Sequence, residues 1–276
     1  MHSPPPGRRA PARTIEVVAH RGSSEDVAEH TLAAYAKAVA DGADALECDV
    51  RLTRDGHLVC VHDRRVERTS NGRGPVSTLE LAQLDELDFG SWKTREVWSD
   101  LEDPEEPDTD HRRILTLDRL FRLVADSRPG LQIAVETKHP TRYAGLVERR
   151  LVELMQHFGW ARPAMGQTVP VRVMSFSPLS LRRMRALAPG TRTVLLLDRL
   201  PLRLRDGMLP PTTRIAGPSI ESLRLFPEYV ERVQRRGFSV HVWTVDRDAD
   251  IDLCIRLGVD AIITNRPRHV LDALGR

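Results

Sequence analysis

Short apolar runs recur along this chain with amphipathic stretches between most of them, and that alternation limits the folds open to it more than any other feature. The runs lie at 15–19 (IEVVA), 44–50 (DALECDV), 131–135 (LQIAV), 171–175 (VRVMS), 192–197 (RTVLLL), 214–217 (RIAG), 239–244 (SVHVWT) and 260–264 (DAIIT). Most are nearly continuous in apolar residues, the pattern of parallel strands buried on both faces. Helical periodicity occupies 31–41, 117–126, 143–158, 179–187, 227–236 and 247–257. Eight strands in 276 residues fit a (β/α)8 TIM barrel, a fold of roughly 250 residues. A doubly wound open sheet is the alternative, because strand order is not written in the sequence.

A ninth strand-like stretch, 57–62, belongs to a hairpin. Asp55-Gly56 reads as a two-residue type I′ turn, which needs positive φ at both central residues. Pairing Arg54 with His57 and counting back along both arms places His62 opposite Asp49. Glu47 and Asp49, two apart on a strand, share a face. The ribbon is therefore expected to carry two carboxylates and an imidazole on one side. Residues 64–115 follow as an insertion with turn signals, a short helix around 77–87 and an acidic loop from Asp100 to Asp110. It holds too few apolar residues for a core of its own. The expected organisation is a disordered leader over 1–13 and a single barrel domain over 14–276.

Composition excludes several classes. Forty-one Lys plus Arg against 39 Asp plus Glu leaves a net charge of +2, without the clustered basic face of a nucleic-acid binder. Cys48, Cys60 and Cys254 have neither disulfide nor CxxC spacing. No apolar run reaches the roughly 18 residues of a membrane span, and no secretory h-region follows the basic N-terminus. The expectation is a soluble, cytoplasmic protein. Its oligomeric state is not legible.

In a barrel, strand C-termini form the active face. His20-Arg21-Gly22 ends the first strand and Glu136-Thr137-Lys138 ends the LQIAV strand. A network of ion pairs is the competing reading for any single strand-end carboxylate. Three of them, Glu47, Asp49 and Glu136, converging on one mouth are costly unless a cation sits among them. Oxygen donors without cysteine suggest a hard divalent metal ion, calcium or magnesium. His20 and His62 are then free for proton transfer, and Arg21 and Lys138 suit a phosphoryl group. These parts describe phosphodiester cleavage. Arg199, Arg203 and Arg205, in the Leu/Pro-rich segment 198–213, follow a strand and would lie on the same face.

His20-Arg21-Gly22, Glu47-Cys48-Asp49, Arg54-Asp55-Gly56, His62-Asp63, Glu136-Thr137-Lys138, Val242-Trp243-Thr244-Val245 and Ile262-Ile263-Thr264-Asn265-Arg266-Pro267 resemble, in order and spacing, the signatures of the glycerophosphodiester phosphodiesterase family. The resemblance spans residues 15–270. It implies a (β/α)8 barrel and metal-dependent hydrolysis of small-molecule glycerophosphodiesters to an alcohol and glycerol 3-phosphate. By motif, Glu47, Asp49 and Glu136 would hold metal, His20 and His62 would form the acid/base pair, Arg21 and Lys138 would bind phosphate, and Trp243 would wall the glycerol end. The nucleophile would be water or the neighbouring glycerol hydroxyl. One departure stands out: where the family has Glu-Asn-Thr, this chain has Glu29-His30-Thr31. Two other readings compete: a lysophospholipase D-like enzyme, which would want an apolar lip such as 198–213, and a non-catalytic phosphate- or metal-binding barrel.

Overall fold

The computed structural model describes residues 14–94, 112–139, 145–162 and 169–276. The acidic loop and the leader read from the sequence lie outside the described residues. Among the described residues nine strands form one sheet: β1 (Glu16–His20), β2 (Ala45–Leu52), β3 (Leu58–Cys60), β4 (Gln132–Thr137), β5 (Val171–Ser175), β6 (Arg192–Leu197), β7 (Ile215–Pro218), β8 (Ser239–Val242) and β9 (Ala261–Thr264). β1 pairs in parallel with both β2 and β9, so eight parallel strands close into a barrel and β3 hangs antiparallel on β2. Closure rules out the open sheet.

The helices described are α1 (Leu32–Ala40), α2 (Leu81–Asp85), α3 (Ser91–Thr94), α4 (Leu117–Asp126), α5 (Leu146–His157), α6 (Pro178–Leu187), α7 (Ile220–Leu225), α8 (Tyr229–Arg235), α9 (Asp248–Leu257) and α10 (Pro267–Ala273). Thr31 caps α1 as its position suggests, accepting from the Ala34 N–H at 3.2 Å. Between β6 and β7 only a 3-10 turn forms, at Leu202–Leu204. Pro201, Pro210 and Pro211 remove the N–H donors that an α-helix there would need.

Near-continuous apolar strands are explained by two packed layers. Val18, Ala45, Ala134, Met174, Val194, Ile215 and Ile263 fill the barrel interior, while Val17, Leu46, Cys48, Ile133, Val173 and Ile262 pack outward against the helices. All three cysteines are buried and free. The inner set fixes a parity along each strand. Stepping two residues toward the C-terminal end from Val18 gives His20, from Ala45 gives Glu47 and Asp49, and from Ala134 gives Glu136 and Lys138.

The hairpin departs from the expected register by one residue. Leu52 faces Leu58 and Val50 faces Cys60, and the Val61 N–H donates to the Asp49 carbonyl at 3.0 Å, so Val61, not His62, lies opposite Asp49. The turn has three residues, Arg54, Asp55 and Gly56, closed by Thr53 N–H to His57 O at 2.9 Å. Gly56 has φ of +90° whereas Asp55 is not in the left-handed region. Asp55 is held instead through its carboxylate, which accepts from Thr53 Oγ1 at 2.6 Å and from the Leu81 N–H at 3.1 Å. A three-residue loop with one left-handed glycine is the next commonest hairpin connection.

The insertion does bury an apolar cluster, Val66, Val76, Leu84, Phe89 and Ile114, but it is completed by Val59 and Val61 of the hairpin. Among the described residues no helix is long and apolar enough to cross a membrane.

Candidate active site

Strand register sets the first row of the site. His20 on β1 lies beside Glu47 on β2, and Asp49 lies beside Glu136 on β4. Glu47 (1% exposed), Asp49 (1%) and Glu136 (7%) are buried, and one oxygen from each lies within 4.8 Å of the others. Lys138 Nζ sits 2.9 Å from Glu136 Oε1 and 3.1 Å from Asp49 Oδ1.

Arg21 does not follow the strand parity. It has φ of +57° and Gly22 has φ of +88°, so the chain turns sharply at the end of β1 and delivers the guanidinium into the mouth. A Cβ on Gly22 would lie 2.6 Å from the Ala34 carbonyl carbon, so this turn requires glycine. Arg21 Nε lies 3.0 Å from Asp49 Oδ2, and Nη1 donates to Glu29 Oε1 at 3.0 Å.

His62 reaches the same mouth despite the register difference. Arg51 donates from Nε and Nη2 to the His62 carbonyl at 3.0 and 2.7 Å, fixing the backbone just beyond β3. The imidazole then lines one cavity with His20, Arg21, Glu47, Glu136, Lys138, Phe176 and Trp243. Trp243 donates from Nε1 to the Gly217 carbonyl at 2.6 Å and meets Phe176 edge to face at 5.3 Å. Its ring is thereby fixed as a wall of this cavity. Arg199, Arg203 and Arg205 are not among its lining residues. Arg205 stacks on Phe226 at 4.0 Å.

Electrostatics set the three carboxylates apart. Burial and the adjacent Asp49 charge push Glu47 well above the ordinary carboxylate range, and the same two causes push Glu136 to about 8. Burial pushes Asp49 upward too, but the His30 hydrogen bond and the charges of Lys138 and Arg21 outweigh it and hold the group well below that range. A positive charge among the three would lower Glu47 and Glu136 again. Asp49 Oδ1 is buried without an aligned hydrogen bond, Lys138 being off the bond axis. An all-oxygen, inward-facing, mutually repelling donor set fits a hard divalent cation.

Both histidines are oriented from behind. Asn265 donates from Nδ2 to Asp246 Oδ2 at 2.6 Å, which turns its amide oxygen to His20 Nδ1 at 2.7 Å. That oxygen can only accept, so His20 carries its proton on Nδ1 and a bare Nε2 when neutral. Burial and the Arg21 charge push His20 down to about 3. His62 Nδ1 lies 2.7 Å from Asp63 Oδ1, giving it the same orientation with a carboxylate as partner. Burial lowers His62 as well, against the opposing charge of Asp49. His30, the departure from the family's amide, sits at φ of +61° with Nε2 3.0 Å from Asp49 Oδ2 and Nδ1 2.8 Å from the Tyr35 hydroxyl.

The model of the glycerophosphoryl diester phosphodiesterase family matches residues 20–269. The chain belongs to this family. Among members, a Mycobacterium tuberculosis protein named "Probable glycerophosphodiester phosphodiesterase 1" is 48% identical over 254 residues, covering 91% of this chain and 89% of its own. A glycerophosphodiester phosphodiesterase from Caldanaerobacter subterraneus is 32% identical over 261 residues, covering 93% and 96%. The structure of an Oleispira antarctica phosphodiesterase in complex with the product sn-glycerol-3-phosphate superimposes with a TM-score of 0.78 at 25% identity, covering 95% of this chain and 97% of that one. The chain is accordingly an enzyme, a phosphoric diester hydrolase of the glycerophosphodiester phosphodiesterase family.

Sequence reasoning named eight site residues, and all eight lie at this mouth: His20, Arg21, Glu47, His62, Glu136, Lys138 and Trp243 line the cavity, with Asp49 bridged to Arg21 and Lys138 behind it. It missed the supporting residues. Asn265 was detectable, since it stands two residues beyond inward-facing Ile263. Asp63 belongs to the His62-Asp63 motif, which by itself assigns it no role, and Glu29 is legible only as a residue that holds the loop before α1.

Proposed function

We propose that the enzyme hydrolyses small soluble glycerophosphodiesters to an alcohol and glycerol 3-phosphate with a divalent cation and the histidines His20 and His62. The observation that carries this reading is the convergence of three buried carboxylates, two cationic side chains and two imidazoles on one barrel mouth. Glu47, Asp49 and Glu136 would hold the cation, calcium or magnesium, whose chemistry there is Lewis-acid polarisation of phosphoryl oxygen. Arg21 and Lys138 bind the phosphate oxygens and stabilise the negative charge that builds in the transition state. Trp243 and Phe176 form the apolar wall against the glycerol carbons.

The two histidines divide acid and base work by their partners. His20, backed by the neutral Asn265 amide, takes a proton from the nucleophile at Nε2. His62, backed by the Asp63 carboxylate, better supports an imidazolium and delivers its proton to the leaving alkoxide. Leu202, 79% exposed in the 198–213 segment, does not line the cavity, which favours small diesters over acyl-bearing ones. Three buried free thiols fit a reducing compartment such as the cytoplasm.

The test is release of glycerol 3-phosphate from a glycerophosphodiester such as glycerophosphocholine. Glu47→Ala and His62→Ala are expected to abolish it with the fold retained. Turnover at the wild-type rate in either variant overturns the assignment.

A further inference from the structure

Arg68 lies in the insertion, outside every motif discussed above, yet its guanidinium joins two parts of the active site. Nη1 and Nη2 donate to Glu29 Oε2 and Oε1 at 2.8 and 2.7 Å, a two-pronged grip. Nε donates to Asp63 Oδ2 at 2.5 Å. Glu29 in turn accepts from Arg21, and Asp63 holds His62. The result is an unbroken chain of contacts with alternating charge, His62–Asp63–Arg68–Glu29–Arg21–Asp49, crossing the mouth from the hairpin exit to the loop after β1.

We infer that Arg68 is a positioning residue that fixes His62 and Arg21 relative to each other. This rests on the roles given above to those two groups.

The planar fork of arginine suits the task, because it can engage a carboxylate with both terminal nitrogens while its third nitrogen points elsewhere. Its backbone is pinned as well. Buried Val66 and Thr69 flank it, with the Thr69 N–H and the Ser70 hydroxyl both donating to the Val66 carbonyl, at 3.2 and 2.9 Å. Isolated exposed ion pairs contribute little, but a forked pair within a network is the exception. Glu29 is largely buried and the Arg68 side chain is only 45% exposed, so the chain is partly shielded from solvent. The insertion thereby acquires a positioning role: it supplies a cation that ties the acid/base group to the phosphate-binding group. An error of 1 Å between such groups costs on the order of 100-fold in rate.

The experiment measures kcat and KM for glycerol 3-phosphate release in Arg68→Met, Arg68→Lys and the triple variant Glu29→Gln/Asp63→Asn/Arg68→Met, against the double variant lacking the last change. Arg68→Met is expected to lower kcat on the order of 10- to 100-fold with KM changed less and the thermal midpoint near wild type. Arg68→Lys keeps the charge without the fork and is expected to recover only part. In the Glu29→Gln/Asp63→Asn background, removing Arg68 is expected to cost nothing further, because the residues it acts through are gone. Wild-type kcat in Arg68→Met, full recovery in Arg68→Lys, or an equal loss in both backgrounds overturns the inference. His62→Ala and Arg21→Ala are run beside these. Retained turnover there would overturn the underlying site assignment instead, so the two failures are distinguishable.

Discussion

His20 and His62 present the same ring nitrogen to the mouth but stand on chemically different partners, an amide and a carboxylate. That difference is testable with the leaving group. A p-nitrophenyl ester of glycerol 3-phosphate releases an anion that needs no proton, so a missing general acid matters less. His62→Ala is expected to lose about 10-fold or more less activity on this ester than on glycerophosphocholine, and His20→Ala is expected to lose equally on both. The opposite pattern would exchange the two roles. Glu29 offers a test in stability. Burial pushes its carboxyl up from an ordinary 4.5, but the Arg68 hydrogen bonds and the Arg21 charge reverse this and leave it at about 2. A depressed carboxyl contributes stability in full above its unfolded value and loses it as pH falls through the folded one. The contribution is at most about 3 kcal/mol, and about half that once solvent around half-exposed Arg68 screens it. Glu29→Gln is therefore expected to be less stable than wild type at pH 7 and to show a flatter loss of stability between pH 4.5 and 2 in denaturant titrations. An unchanged acid limb would contradict this.

At the scale of elements, what the sequence revealed depended on whether the signal was periodic. Each barrel strand was legible because two packed layers make it apolar on both faces, and strand-end His20, Glu47, Asp49, Glu136 and Lys138 follow by counting in twos. The hairpin shows where counting fails. Asp-Gly is compatible with a two-residue turn, but the Thr53 hydroxyl and the Leu81 N–H bind the Asp55 carboxylate and lengthen the loop by one. His62 still arrives at the mouth, carried by Arg51's grip on its carbonyl, a contact no periodicity announces. Arg68 was illegible for the same reason, being a loop residue whose partners are 5 and 39 positions away. The two glycine turns separate local strain from steric clash. Ala at Gly56 meets only the flexible Arg150 side chain at 3.5 Å or more, whereas Ala at Gly22 strikes the Ala34 backbone at 2.6 Å. Gly56→Ala is expected to cost about 1–2 kcal/mol and Gly22→Ala about 3 kcal/mol or more. Thermal unfolding measures the difference, and equal midpoints would contradict it.

For the molecule as a whole, the barrel brings β1, β2 and β4 side by side and so assembles a donor set that no single segment contains. Burial and the Asp49 charge push Glu47 and Glu136 above the ordinary carboxylate range, and Asp49 is paired with Arg21 and Lys138. A cation among the three carboxyls would favour their ionised forms. The closed barrel and the family match over residues 20–269 establish fold and family; the cation is tested directly by removing it. The decisive measurement is glycerol 3-phosphate release by chelator-treated enzyme titrated with calcium or magnesium. Activity is predicted to vanish on chelation and to return in proportion to one divalent cation per chain, with no recovery in Glu136→Ala. Full turnover in the presence of chelator would contradict the account.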